Sequence, residues 1–79
     1  MNETRFKKCI AESLGLDPEV ITDGLAYNSV KQWDSVAHMA LVAALETEFN
    51  VMLDTDDIIA MSSVAVARDI VRKHGVTFP

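Results

Sequence analysis

A single cysteine, Cys9, excludes an internal disulfide, and two prolines with three glycines leave no Gly/Ser-rich or Pro-rich linker in the 79 residues. A chain this short without a covalent staple lies near the size at which one hydrophobic core is only marginally stabilising. No apolar run approaches the ~20 residues of a membrane span, and Met1-Asn2-Glu3-Thr4-Arg5 is followed by mixed polar residues instead of a signal-peptide core. These absences predict one soluble, cytoplasmic, monomeric domain over residues 1–79. Cys9 lies at an apolar helical position and reads as a reduced core residue. The other reading, a catalytic thiol, finds no triad-like context at His38 or His74, the two histidines.

Basic charge is missing from one block. The net charge is −5, and residues 34–57 hold six acidic and no basic side chains, whereas residues 58–79 hold three basic and one acidic. Such a block argues against a nucleic-acid backbone as partner and for proteins presenting Lys or Arg. A metal reading of the same acids fails. In an EF-hand loop begun at Asp54, Ile58, Ile59 and Ala65 would occupy the fifth, glycine and bidentate positions, which leaves at most weak, nonspecific divalent binding.

The residues that are present read as helices joined by loops. Phe6, Cys9, Ile10 and Leu14 keep helical spacing, so a first helix runs from about Glu3 to Leu14, with Asn2 or Thr4 as cap and Gly15 as its left-handed end. Asp17-Pro18 blocks continuation. A long loop follows, in which Val20, Ile21, Leu25, Tyr27, Val30 and Trp33 are expected to pin the chain across the helices; a hairpin at Asp23-Gly24 is the weaker alternative, because neither flank alternates. Leu41, Val42, Leu45 and Phe49 mark a second helix that begins at or just after Ser35, capped by Asp34 or Ser35, and ends near Asn50. Asp54, Asp56 and Asp57 ahead of Ile58-Ile59 predict a short third helix. Ser62 or Ser63 caps a fourth, with Val66, Ala67, Ile70 and Val71 inward, Arg68, Arg72 and Lys73 on the other face, and Gly75 as the end.

The run from Trp33-Asp34-Ser35-Val36 to Leu45-Glu46-Thr47-Glu48-Phe49 resembles the acyl and peptidyl carrier protein family, whose signature is Asp-Ser-Leu at the start of a helix ending in Leu-Glu-x-Glu-Phe. The resemblance implies an all-α, small up-down bundle with three longer helices, a short third one and a long loop between the first two. It also implies a 4'-phosphopantetheine arm from coenzyme A on Ser35, as O-(phosphopantetheine)serine with Asp34 adjacent and supporting, and a terminal thiol that holds cargo as a thioester. The implied partners are a phosphopantetheinyl transferase, an acyl- or aminoacyl-loading enzyme, and acyltransferases, synthases or tailoring enzymes; the protein itself is not an enzyme. Helix physics agrees, since a first turn offers free N–H donors and the positive end of the macrodipole to a phosphodiester.

Three departures from that pattern favour a carrier of a specialised pathway, with the general fatty-acid synthesis carrier as the alternative. Val36 stands where the family usually has Leu, Ala37 and Ala40 stand where fatty-acid carriers commonly place acids, and Gln32-Trp33 precedes Asp34 where they often have a glycine. The tryptophan is similar to free-standing carriers of specialised pathways. An acidic helical interaction module, in which Asp34-Ser35 is only a cap, is the reading from another class. A hydrolase built on Asp34, Ser35 and His38 lacks a residue to orient the imidazole and the glycines of a nucleophile elbow, so His38 reads as a helix-surface residue beside the arm. The expected docking face is an apolar patch of Val36, Met39, Ala40 and Ala43 rimmed by Glu46, Asp56 and Asp57. Met39, Met61, Ala40, Ala43 and Ala44 are read either as an expandable cleft for an apolar chain or as ordinary core and surface filling.

Overall fold

The computed structural model describes residues 2–78. Four α-helices, α1 (Asn2–Leu14), α2 (Ser35–Phe49), α3 (Thr55–Ala60) and α4 (Val64–Lys73), follow one another with a 3-10 turn at Pro18–Val20 between the first two. This is the all-α order, long, long, short, long, that the sequence predicts.

Three of the helices end in the same way. Gly15, Asn50 and Gly75 take positive φ angles of 68°, 52° and 96°. The next residue in each case, Leu16, Val51 and Val76, donates its N–H back to the carbonyl of Ala11, Glu46 and Val71. Each end is a Schellman turn, which satisfies carbonyls that a helix terminus otherwise leaves unpaired. The starts are equally defined. Asp34, Asp54 and Ser63 accept through their side chains from the N–H groups of Ala37, Asp57 and Val66. Asn2, predicted as a possible cap, is engaged elsewhere, for its Oδ1 accepts from Arg5 and its Nδ2 donates to the Thr77 carbonyl at 2.7 Å.

The core is one cluster that gathers Phe6, Cys9, Ile10 and Leu14 from α1, Leu41, Val42 and Leu45 from α2, and Val64, Ala67, Ile70 and Val71 from α4, with Leu53 and Met61 from the connections. Burial pushes the Cys9 thiol up to about 11, with Glu48 and Glu12 adding to it, so it packs as a small hydrophobe and is not poised for reaction. Phe78 closes the cluster at the far end of the chain, edge-on to Phe6 at 5.5 Å.

The long loop is pinned, though less by side chains than expected. Ile21 and Trp33 are buried and Leu25 and Val30 half-buried, whereas Val20 lies exposed and Tyr27 at the surface. Backbone bonds complete the attachment: Tyr27 N–H donates to Ser62 O, Val64 N–H to Leu25 O and Ala65 N–H to Asp23 O, around an isolated antiparallel bridge between Ala26 and Ser63. The loop is thereby tied to the start of α4, and no hairpin forms at Asp23-Gly24.

Two polar residues sit differently from their sequence-predicted places. Arg68, assigned to the outer face of the fourth helix, is largely buried. Its guanidinium makes a bidentate pair with Glu3 at 2.9 and 2.7 Å, meets Asp23 at 2.9 Å and lies over the Phe6 ring. It joins α1, the loop and α4 at one point.

Asp57, expected on the docking rim, is 3% exposed. Its carboxylate accepts from Lys73 and, at 2.8 Å, from His74, so it fastens α3 to the end of α4. A six-residue helix has too little apolar surface to hold itself in place, and the pairing of buried Asp57 with the more exposed Lys73 and His74 supplies an anchor. Lys73, then His74, hold the Asp57 carboxyl at about 2, below its ordinary 3.8. Folding favours its ionised form, so the stability it contributes is complete above the unfolded value and lost as pH falls from about 4 through 2. Asp57→Asn is expected to melt lower than wild type at neutral pH and to show a shallower fall of Tm over that acid window. Parallel Tm curves for the two proteins would refute the anchor.

Candidate functional site

Asp34 and Ser35 divide the work at the head of α2. Asp34 has extended backbone angles, and its carboxylate accepts from Ala37 N–H at 2.8 Å while its carbonyl accepts from His38 N–H. It is therefore the cap, and Ser35 is the first helical residue. Ser35 is exposed, and among the described residues neither its N–H nor that of Val36 donates to a protein acceptor. The junction presents a free hydroxyl beside two free N–H groups at the positive end of a helix of 15 residues. Asp34→Ala should lower stability by about 1 kcal/mol, the usual cost of a lost cap, whereas Ser35→Ala removes no cap and should unfold with wild type. Denaturant midpoints of the two variants test this division.

An open groove of about 350 Å³ begins at Ser35 and runs between α2 and α3. Its walls are Met39 from α2, Ile58 and Ile59 from α3, Met61 and Ser62 from the connection to α4, and Tyr27 from the long loop, with His38 at its floor. Of the residues expected to form a docking face, Val36 (78% exposed) and Met39 (54%) stand beside Ser35, and Ala40 is exposed next to them. Ala43 is exposed but lines a different groove, on the α1 side, with Arg5, Cys9 and Thr47. Asp56 is exposed, as a rim residue should be. Glu46 is only half-exposed, and its Oε2 accepts from Leu53 N–H at 3.0 Å, so part of its function is to shape the turn after α2.

His38 corrects a further expectation. It is half-buried and both ring nitrogens are engaged, Nδ1 with the Trp33 indole N–H at 2.9 Å and Nε2 with the Ile58 carbonyl at 3.0 Å. An indole nitrogen can only donate, so Nδ1 is the acceptor and the ring proton sits on Nε2. That leaves the imidazole no lone pair for the Ser35 hydroxyl.

Ile59, 76% exposed, Tyr27 and Ser62 were not among the predicted site residues. A signal for Ile59 exists in the sequence. A helix of one or two turns buries one face, so of two adjacent isoleucines one must face outward. For Tyr27 and Ser62 no local signal exists, because a backbone bond between distant segments brings them to the groove.

No family model matches the sequence. Among solved structures, the chain is similar to the solution NMR structure of a holo acyl carrier protein from Geobacter metallireducens, with a TM-score of 0.78, 23% sequence identity, and coverage of 90% of this chain and 84% of that one. The likeness shows that this chain has the fold of an acyl carrier protein. No helix among the described residues is long and apolar enough to cross a membrane.

Proposed function

We propose that this chain is a carrier domain, not itself a catalyst, that bears acyl or aminoacyl intermediates as thioesters on a 4'-phosphopantetheine arm joined to Ser35 and presents them to the enzymes of a specialised biosynthetic pathway. The observation that carries the reading is the Asp34-Ser35 junction: an exposed serine at the first position of α2, in a chain with the carrier fold. The residues present fit the group. Its phosphodiester is an anion, and the Ser35 and Val36 N–H groups are unspent donors at the positive end of the helix. Asp34 keeps Ser35 at the head of the helix by capping the turn above it. When bound, the arm supplies a thiol that activates an acyl group as a thioester; the chain's own residues supply the attachment point and the surface that partners read.

The partners on this reading are a phosphopantetheinyl transferase, a loading enzyme and the acyltransferases or synthases that take the cargo. A specialised pathway is favoured over general fatty-acid synthesis by the surface beside Ser35. Val36, Met39, Ala40 and Ile59 are exposed there without a charge among them, and the nearby acids Glu46 and Asp57 are wholly or partly spent on the fold's own N–H and cationic groups. Intact mass after incubation with coenzyme A, magnesium and a promiscuous transferase tests the proposal. One arm is expected, located by peptide mapping to Ser35, with Ser13, Ser29, Ser62 and Ser63 unmodified. Without that gain in mass the chain is an acidic interaction module.

A further inference from the structure

Trp33 enters the core where the loop meets α2, and its ring is fully buried. Its N–H needs an acceptor inside the protein and finds His38 Nδ1, the two rings meeting edge to edge with centroids 6.1 Å apart and planes 22° apart. The other side of the imidazole donates to the Ile58 carbonyl in α3, and Tyr27 covers it edge-on at 5.3 Å. His38 is thus a strut with one end on the loop and the other on the third helix.

This strut floors the groove that starts at Ser35. Because this strut ties α2 to α3, a chain anchored at Ser35 that passes between them toward the core cluster must part α3 from α2. Withdrawal breaks the bond from His38 to the Ile58 carbonyl, and any turn of the ring with α3 strips the Trp33 N–H of its acceptor as well. The Ile58 carbonyl keeps the Met61 N–H, but the Trp33 N–H belongs to a fully buried ring and would be left without a partner, which is costly. Outside the strut, the groove is open, mainly apolar and about 350 Å³, near the lower end of the size range of small-molecule pockets.

Resting on the carrier reading proposed above, we infer that the cargo borne on Ser35 is a compact acyl group that lies in this open groove, not a long alkyl chain threaded into the core, and that His38 sets the limit by holding α3 against α2. His38 is a positioning residue here. It touches no cargo bond, and it acts through the closure of the floor.

The test loads wild type, His38→Ala and Trp33→Phe with butyryl, octanoyl and palmitoyl arms from the corresponding acyl-coenzyme A compounds, confirms each by intact mass, and records Tm and amide spectra. For wild type, the expected result is one melting temperature for all three cargoes and unmoved amide signals at the core residues Leu41, Leu45, Ile70 and Val71. His38→Ala should melt lower than wild type with butyryl, gain Tm as the chain lengthens, and shift those core signals with palmitoyl. Trp33→Phe keeps an aromatic ring but removes the donor, and it should show the same length dependence, so it decides the matter if His38→Ala does not fold. Wild-type Tm that climbs with chain length, or wild-type core signals that move with palmitoyl, would overturn the inference while leaving the carrier reading intact. A variant whose Tm is lowered equally for all cargoes would also overturn it, since His38 would then be structural only. Failure of every acyl arm to attach to Ser35 would refute the carrier reading and the inference together.

Discussion

Ser35→Ala gains no mass when incubated with coenzyme A, magnesium and a phosphopantetheinyl transferase, and it unfolds at the wild-type midpoint. Both halves of this expected result follow from the division of labour at the head of α2. The hydroxyl is the only group that alanine removes, and it makes no hydrogen bond within the fold among the described residues. The cap belongs to Asp34, whose carboxylate holds Ala37 N–H whether or not a hydroxyl follows it. Loss of modification is therefore complete, and loss of stability is close to zero. Asp34→Asn separates the neighbours further. An amide oxygen caps nearly as well as a carboxylate, so this variant should keep its stability. Uptake of an arm by Ser35→Ala, read by intact mass, would place the attachment elsewhere and remove the support for the carrier reading.

The second large effect is expected at the docking surface. Met39→Ala and Ile59→Ala should each slow transfer of cargo to a cognate enzyme by about tenfold, which corresponds to the ~1.4 kcal/mol expected of an apolar residue central to an interface. Val36→Ala should follow in the same direction with a smaller step, since less side chain is removed. Charge reversal at the rim is the comparison. Glu46→Lys is a poor choice, because that carboxylate accepts from Leu53 N–H and its loss perturbs the turn after α2. Asp56→Lys is cleaner: Asp56 is exposed, so reversal alters the field around the site with little effect on the fold. It should change the association rate and its salt dependence while leaving dissociation nearly constant. Stopped-flow rates for these variants decide between the two modes. Abolished binding in Asp56→Lys with unchanged binding in Met39→Ala would show docking by charge and remove the preference for a specialised pathway.

The helices and their ends were legible in the sequence because both are local. A Gly or Asn after the last apolar position, or an Asp or Ser before the first, acts within one turn of its own place, and Gly15, Asn50, Gly75, Asp34 and Asp54 all do so. The place of Ser35 at the first turn of α2 was legible for the same reason, since it lies in a run contiguous with its helix. The choice between Ser62 and Ser63 as the cap of α4 was open until the loop was in place. The Ser62 carbonyl receives Tyr27 N–H, and Ser63 is left to cap through its hydroxyl. Asp57, Arg68 and His38 were misplaced by one common cause. Each is polar, each lies on a helix where solvent is the usual expectation, and each is drawn inward by a partner that the local pattern cannot reveal. Lys73 and His74 are 16 and 17 residues from Asp57, and Glu3 is 65 from Arg68. His38 is the subtler case, since Trp33 is only five residues away. The need for an acceptor arises because the indole is buried, and the burial is decided by the whole bundle.

The meeting of Asn2 with the Thr77 carbonyl, and of Phe6 with Phe78, brings the two ends of the described chain together near Phe49, at the opposite end of α2 from Ser35. Fifteen helical residues separate those poles, a span of roughly 22 Å at 1.5 Å per residue. Whatever is joined to either end, be it a solid support, a fluorescent reporter or a neighbouring polypeptide, hangs from the pole away from the serine. A tether at that pole leaves the Ser35 end of α2 uncovered. The nearness of the ends also makes the order of the helices along the chain negotiable. A short join between them would need its new ends opened away from Asp23, which holds Arg68 and the Ala65 N–H.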